Sequence, residues 1–221
     1  LQQLTEPRLV ELLDLVALGT VADVVPLDRL NRTLVDLGLK RMRQGRACAG
    51  ISALLQIAGK DINRLSAQDL GFAIAPRLNA AGRMDDMGLG IDTLLTDNFA
   101  MAQQAAQLLD QINIERRSVE QGMQLEALAM LEKLQLNETT QAAAYCLYDE
   151  SWHQGVIGLL ASRIKEKLHR PVIVFAPGEP GEIKGSARSI TGVHIRDVLV
   201  NVAAKYPDLI LRFGGHAMAA G

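Results

Sequence analysis

The sequence predicts an α/β protein in two parts: a helical connector region joined by one long helix to a small mixed-sheet α/β domain. Three observations carry this. Between residues 98 and 136 apolar side chains recur at steps of three and four with no proline, the period of one amphipathic helix face. Ahead of that stretch, short helix-like segments are punctuated by Gly and Pro. Behind it, runs of Val, Ile, Ala and Tyr alternate with helical patterns, which makes a small sheet with helices packed on it. The expected divisions are 1–97, 98–136 and 137–221.

Composition narrows the function classes. Hydrophobic residues at 48% and charged ones at 22% are the balance of a soluble chain with a real core. A net charge of −2 excludes a protein that is cationic all over, so any anion site has to be a local basic cluster. Cys48 and Cys146 stand alone, too few for a disulfide framework, which points to a reducing compartment and a cytoplasmic location. No apolar run reaches the ~18 residues of a membrane span. The chain opens mid-pattern at Leu1 and stops at Gly221 inside a motif, so a fragment of a longer protein is expected.

Taken in order, Thr5 and Pro7 suit the start of a first helix, whose apolar face would be Leu9, Leu12, Leu13, Val16 and Ala17. Asp14 falls where a helix face is simply solvated. That helix runs into Gly19–Pro26, where Asp23 is a lone carboxylate among small and branched apolar residues. A charge there needs a partner, a hydrogen bond or a metal, and the local pattern leaves cap and ligand both open. Two helices follow between Asn31 and Gly59. The first has Leu34, Leu37, Leu39 and Met42 on its apolar side and Lys40, Arg41, Arg43 and Arg46 near its end, where cations suit the dipole. The second is closed by Gly59. Ser66–Asp69 reads as a capping box with Asp for Glu, opening a helix through Ile74 that Pro76 stops. The next stretch, Pro76–Arg83, reads as a small-residue turn. In the long helix the predicted apolar stripe is Met101, Ala105, Leu108, Ile112, Val119, Met123, Met130 and Leu134. Residues 142–148 read as a buried strand, 155–167 as a helix, 171–176 and 182–190 as strands, and 195–204 as a helix.

Chemistry concentrates in three places. Arg77 and Arg83 flank Asn79, and offer forked donors to phosphate oxygens beside an amide that bonds a phosphate or base edge. Lys184, Ser186 and Arg188 alternate along one strand and so share a face; an exposed edge strand blunted by charge explains the same pattern. At the end, Gly214-Gly215-His216 lets the backbone approach a ligand closely, and Ala217, Ala219 and Ala220 suit a helix start whose N–H groups would hold an anion. No Walker loop, dinucleotide fingerprint, nucleophile elbow or HExxH occurs. From the residues alone, the reading stops at an α/β domain that binds nucleotide or nucleic-acid phosphate.

Five stretches extend that reading: Leu13–Pro26, Pro76–Arg83, Trp152–Gly158, Lys184–Ser189 and Phe213–Gly221. Together, and in this order, they resemble the DHH phosphoesterase family, in particular its single-stranded-DNA-specific exonucleases with a DHHA1 domain. The resemblance implies 5′→3′ hydrolysis of single-stranded DNA in recombination and repair, with Mn²⁺ or Mg²⁺ and with other repair proteins as partners. It implies that Asp23 is a metal ligand, and that Arg77, Asn79, Arg83, Ser186, Arg188, Gly215 and His216 grip DNA phosphates or the 5′ end. The family's DxD and Asp-His-His motifs occur nowhere in the chain, so the fragment is expected to bind single strands without cleaving them. Two alternatives share the same motifs: a non-catalytic nucleic-acid-binding module of the kind that accompanies alanyl-tRNA synthetases, and a phosphodiesterase for short oligonucleotides or cyclic dinucleotides.

Overall fold

The computed structural model describes residues 9–135 and 142–221, with the side chains of 133–135 left aside. The expected start at Thr5 and Pro7, the stretch 137–141 and the side chain of Leu134 lie outside the described residues. The chain forms two compact units, Leu1–Glu115 and Arg116–Gly221.

The first unit is helical. A 3-10 turn, Leu9–Leu12, leads into α1 (Leu13–Ala22), followed by α2 (Arg29–Arg43) and α3 (Ala49–Ile57). Helix α2 starts on Asp28, whose carboxylate accepts the Asn31 N–H at 2.8 Å. It ends where Gly45 turns with φ +71°. The apolar face foreseen for α1 holds in part, with Ala17 buried and Leu13 half-buried. Leu9, Leu12 and Val16 are exposed, and the buried residues are Asp14, Ala17 and Leu18. Asp14 is therefore not a solvated residue: its carboxylate accepts the backbone N–H groups of Leu15 at 3.0 Å and of Cys48 at 2.7 Å, which offsets the cost of burying it. The core of this unit runs from Ala17 and Leu18 through Met42, Ile51, Leu54, Leu70 and Ile74 to Leu109.

The capping box forms as read: Ser66 and Asp69 cap each other's backbone around α4 (Ala67–Asp69). Pro76 does not stop the helix. Leu70–Ile74 is π-helical and flows straight into α5 (Ala75–Met84), with Pro76 in its first turn. A proline lacks the N–H that an uninterrupted α-helix would use there, and a wider turn before it accommodates the missing bond. Pro76–Arg83 is thus helix and not a turn. Then come α6 (Gly88–Leu95) and α7 (Phe99–Gln135).

Helix α7 is the predicted long helix; of the predicted stripe Met123 is buried as expected, and elsewhere the buried line is shifted. Met101 and Leu108 face solvent. Its buried residues are Ala102, Ala106, Leu109 and Asn113 in the first unit, and Arg116, Glu120, Met123, Ala127 and Leu131 in the second. Among the described residues no helix is long and apolar enough to cross a membrane.

The second unit holds a four-stranded sheet in the order β1-β2-β3-β4: β1 (Tyr145–Tyr148), β2 (Val172–Pro177), β3 (Ile183–Arg188) and β4 (Ala219–Ala220). Strands β1 and β2 are parallel and the other pairs antiparallel. Helices α8 (Ile157–Leu168) and α9 (Ile195–Lys205) complete it. Strand β1 is shorter than foreseen and half-covered, with only Leu147 buried. On one face Val172, Val174 and Ala176 of β2 are buried, as are Ile157, Leu160, Ala161 and Ile164 of α8. On the other, Ala187, Ile195 and Ala220 form a second cluster with Ile173 and Leu199. The register pairs Val172 with Arg188 and Val174 with Ser186. Paired residues share a face, so Ser186 and Arg188 lie on the α8 side.

Candidate nucleic-acid interface

In the first unit the chain end of α1 carries Asp23. Its backbone N–H caps the helix on Gly19 O at 3.0 Å, and the residue is exposed. The next residue, Val24, takes φ +53°, held by Val25 N–H on Thr20 O at 3.1 Å. A β-branched residue in the left-handed region is strained, and strain of this kind concentrates at functional sites. The last turn of α1 packs on the π-helical segment: a Cβ on Gly71 would stand 3.3 Å from Val21 Cγ1. That contact carries the Asp23 motif next to the segment that opens the Pro76–Arg83 helix.

Within α5 the three predicted ligands do not cluster. Asn79 is exposed and Arg83 half-buried, four residues apart and so on one face. Arg77 turns the other way. It ion-pairs with Asp110 at 2.8 Å and donates to the carbonyl of Ala73, an arrangement that ties α5 to α7. Among the described residues no group of three His, Cys, Asp or Glu could hold a metal ion. Asp23, the residue that the resemblance marks as a metal ligand, stands exposed at the end of α1.

In the second unit two predicted ligands, Ser186 and Arg188, are joined by a hydrogen bond. Strand β3 pairs with β2 along its whole length and with β4 at Ala187 and Arg188, so around Arg188 it is an inner strand and not the blunted edge that its charges also suggest. Arg188 donates from Nε to Ser162 Oγ at 3.2 Å, and from Nη1 to Ser186 Oγ at 3.1 Å and to Ala187 O at 2.8 Å. Partial burial pulls its pKa below the usual arginine value, because desolvation disfavours the cation; an arginine remains charged all the same. Lys184 lies on the same face, exposed, opposite Ala176.

The final motif folds differently from expectation. Residues 217–220 are no helix start. Gly215 bridges Ala220, and His216 N–H donates to Ala219 O at 2.8 Å, so the chain makes a tight hairpin whose return strand is β4. The helix N-terminus proposed as an anion site there does not exist. What the hairpin does supply is position. Arg188 pairs with Ala219, and His216 stands opposite the same Ala219. The pleat therefore sets Arg188, Ala219 and His216 in one row on one face, with His216 exposed. Gly215 makes this possible: it has φ +145°, and a Cβ there would stand 2.5 Å from Ala220 Cα.

Two residues of this site had no role assigned from the sequence, Gly158 at the end of the Trp152–Gly158 stretch and Ser162 in the helix that follows. Gly158 and Ser162 of α8 face Arg188, and their spacing of four was the available signal. Beside them His153 is used locally: its Nδ1 accepts the Gly155 N–H at 3.1 Å. Trp152 is buried and donates from its indole to Glu126 at 2.8 Å. The result is a row of cation, hydroxyl and imidazole on one small sheet, a chemistry suited to phosphate oxygens.

Known proteins share both the sequence and this fold. Residues 139–221 match the DHHA1 domain family. Over 220 residues the chain is 56% identical to the single-stranded-DNA-specific exonuclease RecJ of Salmonella typhimurium, covering 100% of this chain and 38% of that protein. It is 56% identical to the RecJ of Escherichia coli, over 97% of this chain and 37% of the relative. Among solved structures, RecJ from Thermus thermophilus in complex with Mn²⁺ matches with a TM-score of 0.79 at 38% identity, over 97% of this chain and 30% of that one. An exonuclease RecJ bound to manganese matches with a TM-score of 0.76 at 37% identity, over 99% and 52%. The chain thus spans 38% of the length of the first of these relatives.

Proposed function

We propose that this chain, whose residues 139–221 belong to the DHHA1 family, is the strand-gripping part of a metal-dependent exonuclease that degrades single-stranded DNA 5′→3′. The observation that carries the reading is the row Arg188–Ala219–His216 with Ser186 beside it, set within a chain 56% identical over its whole length to a single-stranded-DNA-specific exonuclease. A single strand presents one phosphate after another. A forked guanidinium, a hydroxyl and an imidazole in a row bind such a backbone without reading its bases. Asn79 and Arg83, on one face of α5, offer a second contact of the same kind, while Arg77 acts through its ion pair with Asp110.

Hydrolysis is a property of the longer protein in this reading. Divalent ions in such enzymes activate water and neutralise charge on the phosphate, and solved relatives hold Mg²⁺ or Mn²⁺. Asp23 would contribute one carboxylate; no hydrolytic step is assigned to the 221 residues. The partners proposed are single-stranded DNA and, for the longer protein, other recombination and repair proteins.

The test is direct. The chain is mixed with 5′-labelled oligo(dT), with and without Mn²⁺, and binding and nucleotide release are both followed. Binding without release is expected. Nucleotide release contradicts the assignment of chemistry to the longer protein, and absence of binding contradicts the grip.

A further inference from the structure

We propose that Gly158 and Ser162 of α8 are positioning residues that aim the Nη2 edge of Arg188 at a phosphate oxygen. The inference rests on the reading of Arg188 as a phosphate ligand and extends it to two residues that touch no DNA in that reading.

The two lie one helical turn apart and face β3 together. The Ser162 hydroxyl donates to Gly158 O at 3.1 Å and accepts Arg188 Nε at 3.2 Å. A hydroxyl has a single proton, and this one is committed to the helix, so its lone pairs are turned toward the guanidinium. On the far side Nη1 is held by Ser186 Oγ at 3.1 Å and Ala187 O at 2.8 Å. Two of the three guanidinium nitrogens are therefore fixed. The third, Nη2, has no acceptor among the described residues, and it is the one that faces Gly158. A Cβ built on Gly158 would stand 3.0 Å from Nη2 and 3.2 Å from Ser186 Oγ. Glycine thus keeps open the space in front of the one unengaged edge.

The arrangement has a purpose if Nη2 serves a ligand. An arginine free to swing loses rotamer freedom when it binds. One held at Nε and Nη1 has lost it already, so more of the charge-assisted hydrogen bond to phosphate appears as affinity. Alanine is the better helix former, so glycine at 158 gives up helix propensity to leave room for Nη2 and Ser186 Oγ.

The experiment uses the 221-residue chain with two probes: 5′-phosphorylated oligo(dT), followed by fluorescence anisotropy, and inorganic phosphate, followed by the side-chain NMR signals of arginine. Ser162→Ala is expected to weaken binding by roughly tenfold, the worth of a well-placed charged hydrogen bond. Ser162→Thr restores it. Gly158→Ala is expected to weaken binding while leaving Tm unchanged or raising it, opposite signs that a purely structural role does not produce. In an Arg188→Ala background, Ser162→Ala is expected to cost nothing more. Wild-type affinity in Ser162→Ala and Gly158→Ala, or a Ser162→Ala penalty that adds in full to that of Arg188→Ala, overturns the proposal. If Arg188→Ala abolishes DNA binding while the α8 variants retain it, the DNA reading stands and this inference falls. If the chain ignores DNA but takes up inorganic phosphate with the same dependence on Ser162 and Gly158, this inference stands and the DNA reading falls. Binding of neither probe ends both.

Discussion

The carboxylate of Asp14 accepts the backbone N–H of Cys48 at 2.7 Å, joining α1 to the start of α3 across 34 residues. The group is 2% exposed. Asp14→Ala would leave two backbone donors facing a cavity, and unsatisfied buried groups cost about 1–3 kcal/mol each. The expected loss is about 2–4 kcal/mol in urea unfolding of the chain. Asp14→Asn keeps an acceptor and is expected to lose about half as much.

Gly215→Ala is expected to undo the last hairpin. Alanine would need φ +145° and would press on Ala220 at 2.5 Å. Steric conflict plus forbidden backbone places this among the large single-residue losses, ~3 kcal/mol or more. Loss of amide protection at Gly214, His216 and Gly221, whose N–H groups close the hairpin, would report it in hydrogen exchange, with the helical unit unchanged.

Val24→Gly should do the reverse. Val24 is 85% exposed and held at φ +53°, so glycine removes strain without removing a contact. Against glycine's extra freedom in the unfolded chain, the expected net gain is up to ~1 kcal/mol in thermal unfolding.

The capping box predicts a pH effect. Hydrogen bonding by Ser66, and then by Lys60, holds the Asp69 carboxyl at about 2, against ~3.9 for an unperturbed aspartate. A folded pKa below the unfolded one stabilises above the unfolded value, and that contribution is lost as pH falls from about 4 toward 2. The cap and its ion pair are partly solvated, so the contribution is about 1 kcal/mol. Asp69→Asn is expected to be less stable at pH 7 and to show a flatter stability curve between pH 4 and 2.

Local rules were legible in the sequence wherever one residue type does one job. Ser66 with Asp69 announced a cap, Gly59 a helix end, and the alternation of Lys184, Ser186 and Arg188 a shared face; all three hold. The misses arise where tertiary contacts reassign a residue. Beside Leu109, Met123 and Leu131, the buried stripe of α7 uses Ala102, Ala106, Arg116 and Glu120, which are small or charged, so a search for large apolar residues finds Met123 but misses much of the line. Arg116 and Glu120 are tolerated there because they pair at 2.6 Å. Pro76 reads as a stop until the wider turn before it removes the demand for its N–H. The alanines after His216 favour helix on propensity alone, and the backbone of Gly215 overrules them. For the site the outcome is similar. Ser186, Arg188, Gly215 and His216 were visible as motif letters, whereas Gly158 and Ser162 acquire meaning only once α8 lies on β3.

In the proposed function the row through Arg188 and His216 holds a single strand by its phosphates. The most direct test is a salt titration of oligo(dT) binding for the wild-type chain and the Arg188→Ala/His216→Ala double variant. Wild-type binding is expected to weaken linearly in log[salt]. The double variant is expected to bind at least tenfold more weakly, with a slope smaller by about 1 to 2 phosphate contacts. Equal affinity and equal slope for the two proteins would contradict this reading.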